Sequence, residues 1–258
     1  MKTISYILIF SFVFIFYGPT HTEDFAYITN QESHKLDVID LKKKEKVTEI
    51  DLGKKPAAIF IDEASKDIYI ANPGSNNVSL VNLSNNLHTL IEVGNSPLGV
   101  TVDKVNNYLF VSNWYDNVVT VIDLEKKEKI KKINVGDSPA GIYFDKEYKR
   151  LFVANRKSND ISIIDSNNLI VTNNLKVQKA PFGIYSESYL SYIVVTNVQS
   201  NSISIIDKKE LKLLKNIKVG KWPYSAIHDK KNNLLFVTNQ RDDSISVIDM
   251  HKKKKINT

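Results

Sequence analysis

A β-propeller built from six repeats of a four-stranded antiparallel blade is the fold predicted for this 258-residue chain. Three recurrences predict it. An apolar strand closes on an asparagine at Asn30, Asn72, Asn113, Asn155, Asn197 and Asn239, spaced 41 or 42 residues apart. A second apolar run ends in the same phase at Asp40, Asn82, Asp123, Asp165, Asp207 and Asp249. The third is Gly-x-x-Pro at Gly53/Pro56, Gly94/Pro97, Gly136/Pro139 and Gly220/Pro223, with Gln178/Pro181 as the copy lacking its glycine.

Within one period the apolar residues fall in runs of four to six, rich in Val, Ile, Tyr and Phe and separated by Asn, Asp, Lys, Gly and Pro. That is strand-and-turn composition with no room for a helix of ten residues. Four strands fit each period, as in Ala140–Phe144, Leu151–Ala154, Ile161–Ile164 and Leu169–Val177. A four-stranded repeat of about 40–45 residues is the mark of propeller blades. Two residues after each repeat proline stand Ala58, Gly99, Gly141, Gly183 and Ser225. All are small, as inner strands converging on an axis require.

The N-terminus reads differently. Lys2 precedes a 14-residue apolar run, Ile4 to Tyr17, closed by Gly18-Pro19. As a helix it would span about 21 Å, short of the roughly 30 Å core of a bilayer. Residues 1–22 are therefore expected to be a cleaved signal peptide, with the propeller over 23–258 and the mature protein periplasmic or secreted. Contact with a membrane would come only through an uncleaved signal segment. About 236 mature residues cover about 5.6 periods of 42. The first repeat opens at its second strand, Phe25–Thr29, and the last stops at Thr258 before its Val-Gly. The first and last blades are thus expected to be incomplete, and the natural chain to continue and close a ring of six or seven blades.

The run Leu/Ile-Phe/Tyr-Val-Thr-Asn, a Ser-Asn turn, Ile-Ser-Val-Ile-Asp and Ile-x-Val-Gly-x-x-Pro resembles the YVTN-type β-propeller repeat of exported bacterial and archaeal proteins, over residues 25–258. The resemblance implies the fold. For function it implies binding or surface roles, mostly non-catalytic, some linked to quinone-dependent oxidation systems.

Composition removes several chemistries. With no cysteine, disulfide scaffolds, Cys-ligated zinc, thiol redox chemistry and lipidation at a cysteine are excluded. The 35 basic and 29 acidic residues leave an excess of six, nearly all lysine, which permits an anionic partner without demanding one. His34, His88, His228 and His251 fall at unrelated repeat positions, and no His-Glu-x-x-His or Gly-x-Ser-x-Gly occurs. The reading is non-enzymatic, with no catalytic residue, metal or cofactor assigned.

Recurrent polar residues read as structural. The closing asparagines are expected to form turns through their own downstream backbone. Asp62, Asp103, Asp145, Glu187 and Asp229 mark hairpin turns on separate blades, and Lys42–Lys44, Lys126–Lys127, Lys208–Lys209 and Lys252–Lys255 read as solvated turns and blunted edges.

Function is sought where the repeats differ. The turns after the closing asparagines and the Gly-x-x-Pro links lie on one face of each blade, near the channel mouth. They carry Trp114, Tyr115, Arg156, Lys179, Phe182, Lys221, Trp222, Tyr224 and Arg241, including both tryptophans and two of the three arginines. Flat aromatic faces with cations suit a small planar anion, such as a quinone-type cofactor or metabolite, or a partner protein; a single-stranded nucleic acid would meet the same chemistry. Two other readings stay open: a cell-surface or accessory scaffold using its lysine-rich edges, and a lactonase or other hydrolase at the channel mouth.

Overall fold

The structure is a computed structural model that describes Val13–Phe14 and residues 25–62, 64–85 and 87–258. It is a β-propeller, all-β with six four-stranded antiparallel blades. Two compact units divide the chain, residues 1–97 and 98–258.

The first unit holds two blades. One is β1 (Val13–Phe14), β2 (Phe25–Asn30), β3 (Lys35–Asp40) and β4 (Glu45–Asp51). The other is β5 (Ile59–Asp62), β6 (Asp67–Asn72), β7 (Asn77–Asn82) and β8 (Leu87–Glu92). Their facing sides share a core of Leu36, Ile59, Ile68, Ile70 and Val81, flanked by Tyr27 and Ile50.

The second unit holds four. They are β9 (Pro97–Asp103), β10 (Tyr108–Asn113), β11 (Val118–Asp123) and β12 (Glu128–Asn134); then β13 (Pro139–Asp145), β14 (Arg150–Asn155), β15 (Asp160–Asp165) and β16 (Ile170–Lys176). The fifth blade is β17 (Pro181–Tyr185), β18 (Tyr192–Asn197), β19 (Ser202–Asp207) and β20 (Lys212–Lys218); the sixth is β21 (Pro223–Asp229), β22 (Leu234–Asn239), β23 (Ser244–Asp249) and β24 (Lys254–Asn257). Side chains alternate along a strand, so the fourth sheet packs one side on the third blade and the other on the fifth. Phe110, Val119 and Val121 meet Leu151, Val153 and Ile164; Phe152, Ile161 and Ile163 meet Ile193, Val195 and Ile206.

The small residues after the prolines do what their size allows. A Cβ on Gly141 would collide with the Phe182 carbonyl, and one on Gly183 with the Tyr224 carbonyl. The inner strands of neighbouring blades therefore approach backbone to backbone.

Of the two expectations about completeness, one changes. The outer strand of the sixth blade, β24, has four residues against the seven of β12 and β20, the shortened strand expected there. The first blade has a fourth strand: Val13 and Phe14 pair with Ile28 and Tyr27 in the inner-strand position. Apart from those two residues, the expected signal segment 1–22 lies outside the described residues.

The closing asparagines also differ from expectation. Asn30 does accept the N–H groups of Glu32 and Ser33, both at 3.3 Å. The other five turn inward and are buried. Asn155 Nδ2 donates to Asp160 Oδ1 at 2.9 Å and to Ser162 Oγ at 2.8 Å, while Asn72, Asn197 and Asn239 bind the side chains five and seven residues on. They lock the second strand to the third. The left-handed turn position lies four residues later, at Asn76, Asn117, Asn159, Asn201 and Asp243.

Of the acidic turn residues, Asp103, Asp145 and Asp229 behave as expected, each accepting two backbone N–H groups at 2.9–3.3 Å; the strand-closing Asp123, Asp165 and Asp207 do the same at 2.8–3.0 Å. Asp249 is held below the usual carboxylate range, chiefly by the Lys252 N–H. Lys208 departs from the solvated-turn reading. Its side chain is buried, with Nζ 2.9 Å from Asp145 Oδ2 of the preceding blade. Its repeat equivalents Ser166 and Met250 are buried too, so the position faces inward in these blades and the lysine needs a buried partner.

Candidate functional site

All nine candidate residues belong to the second unit and sit where turns and links are pinned by backbone hydrogen bonds. Arg156 N–H donates to Ser138 O at 3.1 Å, and Gln240 N–H to Trp222 O at 3.0 Å. Each link is held in turn by the left-handed Asn of the preceding blade. Asn159 Oδ1 accepts from Ala180 N–H at 2.8 Å, and Asn201 Oδ1 from Trp222 N–H at 3.1 Å.

The structure brings four of the nine into one chain of contacts. The Arg156 guanidinium lies 5.9 Å from the Trp114 ring centroid and 5.7 Å from that of Phe182. The two rings are themselves 6.5 Å apart and tilted by 58°. Phe182 then meets Tyr224 edge to face at 4.8 Å. Phe182 and Tyr224 start the inner strands β17 and β21, directly after their prolines, so backbone contact at Gly183 fixes their separation. Thr196 Oγ1 adds a 3.2 Å bond to Tyr224 O.

A second pair stands on the sixth blade. Arg241 lies 3.7 Å from the Trp222 ring centroid, close enough for a strong cation–π contact. Trp222 holds φ 54°, the left-handed region, at a position filled by Lys55, Ser96, Ser138 and Ala180 in the preceding links of like φ. For a bulky side chain this conformation costs on the order of 1–3 kcal/mol and persists only where its surroundings impose it.

The remaining candidates are less committed to the cluster. Tyr115 is 72% exposed. Lys179 is exposed, with its backbone N–H on Ser200 Oγ at 2.8 Å. Lys221 Nζ is tied to Asp242 Oδ1 at 3.4 Å, so its charge is already answered. Neither Arg156 nor Arg241 has a carboxylate partner among the described residues. Their charges are balanced only by aromatic faces and solvent.

Sequence reading missed two contributors, Thr196 and Asn201, which position Tyr224 and Trp222; beside them, Gln240 Oε1 is buried without a hydrogen-bond partner among the described residues. The left-handed backbone of Trp222 could have been read from its register with Ser96, Ser138 and Ala180. Among the described residues no group of three or more His, Asp or Glu is placed to hold a metal ion.

The same fold is found in proteins of distant sequence. Hydrazine synthase of Kuenenia stuttgartiensis superposes with a TM-score of 0.78 at 19% identity, covering 88% of this chain and 74% of that one. A protein of unknown function from Desulfotomaculum acetoxidans gives 0.76 at 12% identity, covering 91% and 78%. Dihydro-heme d1 dehydrogenase NirN, seen in complex with DHE, gives 0.69 at 15% identity, covering 90% of this chain and 54% of that one. No curated protein sequence matches the chain. At the level of sequence, the repeats that carry Trp114, Arg156, Phe182 and Trp222 fall inside a match to the YNCE-like β-propeller family over residues 93–257, and the chain belongs to that family.

Proposed function

We propose that this chain is an exported, non-enzymatic binding protein whose loop face in the second unit takes a small planar anion. The observation that carries the reading is Arg156, within cation–π reach of both Trp114 and Phe182 at 5.9 and 5.7 Å and with no carboxylate partner among the described residues. A guanidinium on aromatic rings keeps its N–H edge directed outward, where a carboxylate or phosphate can accept two hydrogen bonds. The rings beside it offer stacking area to a flat ligand. Arg241 on Trp222 repeats the combination. NirN, 54% of which this chain covers, was seen in complex with DHE, which supports a ligand-carrying role for proteins that contain this fold. The apolar segment Ile4–Tyr17 supports export.

The lysine-edge scaffold reading has less behind it. In the stretch it relied on, Lys43 and Lys46 are paired with Asp40, Asp37 and Glu49. Titration of quinone carboxylates and other flat anions, followed by tryptophan fluorescence, tests the proposal. Arg156→Ala removes a charged hydrogen-bonding group worth about 1.5–3 kcal/mol, and should weaken binding roughly 10- to 150-fold with the fold intact. Equal affinity of wild type and Arg156→Ala for every flat anion that binds would reject the site.

A further inference from the structure

At the end of the fifth blade opposite its proline link, the chain leaves the repeat. β17 stops after five residues where β13 and β21 run for seven. The connection to β18 is rebuilt: Ser186 Oγ donates to Tyr192 O at 2.8 Å, and Leu190 N–H to Glu187 O at 3.0 Å. Glu187 takes the Tyr185 hydroxyl at 3.3 Å instead of the paired N–H groups that Asp145 and Asp229 accept. This loop carries Tyr189 onto His228 of the sixth blade, the two rings 5.9 Å apart. Neither residue belongs to the repeat: Val105, Glu147 and Lys231 hold the register of Tyr189, and Val102, Phe144 and Ser186 that of His228.

Three side chains then form a directed chain. His228 Nε2 lies 2.8 Å from Asn233 Oδ1, which can only accept, so the imidazole proton sits on Nε2. Nδ1 keeps its lone pair and accepts the Tyr189 hydroxyl at 3.2 Å. His228 is 9% exposed and Tyr189 44%. A reachable hydroxyl on a buried base, with the base oriented by a third group, is the arrangement that activates a phenol.

Nucleophilic attack by such a phenol would need donors aimed at the oxyanion it creates. The cation at this site, Lys230, lies instead over the Tyr189 ring, 4.6 Å from its centroid. One-electron oxidation asks for less: access for the oxidant, and a base that takes the proton in the same step, because an oxidised phenol is a strong acid. Both are present. We propose that Tyr189 is a proton-coupled electron donor at this end of the second unit. A one-electron oxidant, of the class of high-valent metal complexes, takes one electron from the phenol. The O–H bond breaks and its proton bonds to His228 Nδ1, leaving a neutral phenoxyl radical and an imidazolium whose Nε2–H stays on Asn233. Return of one electron sends the proton back. Burial holds the Tyr189 phenol above its ordinary pKa, so the proton is still in place at neutral pH. The carboxylates of Glu187 and Asp229, which act electrostatically on the phenol, favour the imidazolium against Lys230.

The test is flash photo-oxidation of the full chain by a ruthenium tris-bipyridine complex oxidised in place, read at neutral pH by phenoxyl absorbance and electron paramagnetic resonance. The expected result is a fast phenoxyl phase, slower in heavy water, that is absent from Tyr189→Phe although the other tyrosines remain. His228→Phe keeps a ring in the slot and should slow that phase on the order of 10²-fold, the scale set by a positioned base. Asn233→Gly suits the turn at φ 52°, removes only the acceptor that orients the imidazole, and should slow it by a smaller factor. Urea midpoints report whether each variant folds, and Asn233→Gly carries the test alone should the buried phenylalanine unfold the chain. Equal phenoxyl formation in wild type and Tyr189→Phe, a fast phase unmoved in the folded His228 and Asn233 variants, or a rate indifferent to heavy water would each overturn the proposal.

Discussion

Lys208 Nζ lies 2.9 Å from Asp145 Oδ2, and the two side chains are 1% and 2% exposed. The pair joins the fourth and fifth blades. Asp145 Oδ1 also accepts the N–H groups of Glu147 and Tyr148, and Lys208 O is held by Arg150 Nη1 at 2.8 Å. A buried ion pair adds little net stability over an apolar pair, but losing one partner strands the other charge.

Lys208→Met should therefore destabilise the protein by about 3–5 kcal/mol, seen in the urea midpoint. Adding Asp145→Asn removes the stranded charge and keeps an oxygen for the turn, so the double variant should recover more than half of that loss. Additive costs of the two single changes would contradict the account, because contacting partners must couple.

Trp222 is expected to be there for its ring and not for stability. Trp222→Asn places a residue tolerant of positive φ in the left-handed link. The folding free energy should change by no more than about 1 kcal/mol, the strain released offsetting the lost contact with Arg241. Binding of flat anions should weaken in the same variant. A loss near 3 kcal/mol in thermal unfolding would instead make Trp222 a packing residue.

Alkaline pH should separate the tyrosines. Burial pushes the phenols of Tyr143 and Tyr192 up to about 12, and raises Tyr185 as well. A folded pKa above the unfolded value near 10 means the stabilisation is whole below about pH 10 and is lost as pH rises toward 12. Phenolate absorbance should therefore show a late group that includes Tyr143 and Tyr192, ionising only as β-sheet circular dichroism falls. Tyr143→Phe with Tyr192→Phe should flatten the alkaline limb of stability. One titration near pH 10 with the sheet signal intact would contradict it.

The candidate site was legible as membership more than as geometry. Repeat register placed Trp114, Arg156, Phe182 and Tyr224 on the turn-and-link face because a turn residue has the same backbone neighbours in every copy. It could not divide the nine. That Arg156 reaches two rings while Lys221 turns to Asp242 depends on side chains unlike those of the other repeats. Asn155 was misread for a related reason. Its type permits both a turn bond and an inward one, and the presence of Asp160 and Ser162 across the hairpin decides between them.

By itself the sequence determined the blade: four strands, their phase, the acidic turns and the small inner-strand residues. Each of these follows from local backbone chemistry repeated every 41 or 42 residues. Tertiary structure decided which repeated positions meet a neighbour. The residue after Asp207 is a lysine sealed against Asp145 of the preceding blade, whereas the lysines after Asp40 stand in solvent. The reason is that burial belongs to the opposing sheet and not to the strand, so identical residues in one register differ only in what lies across from them.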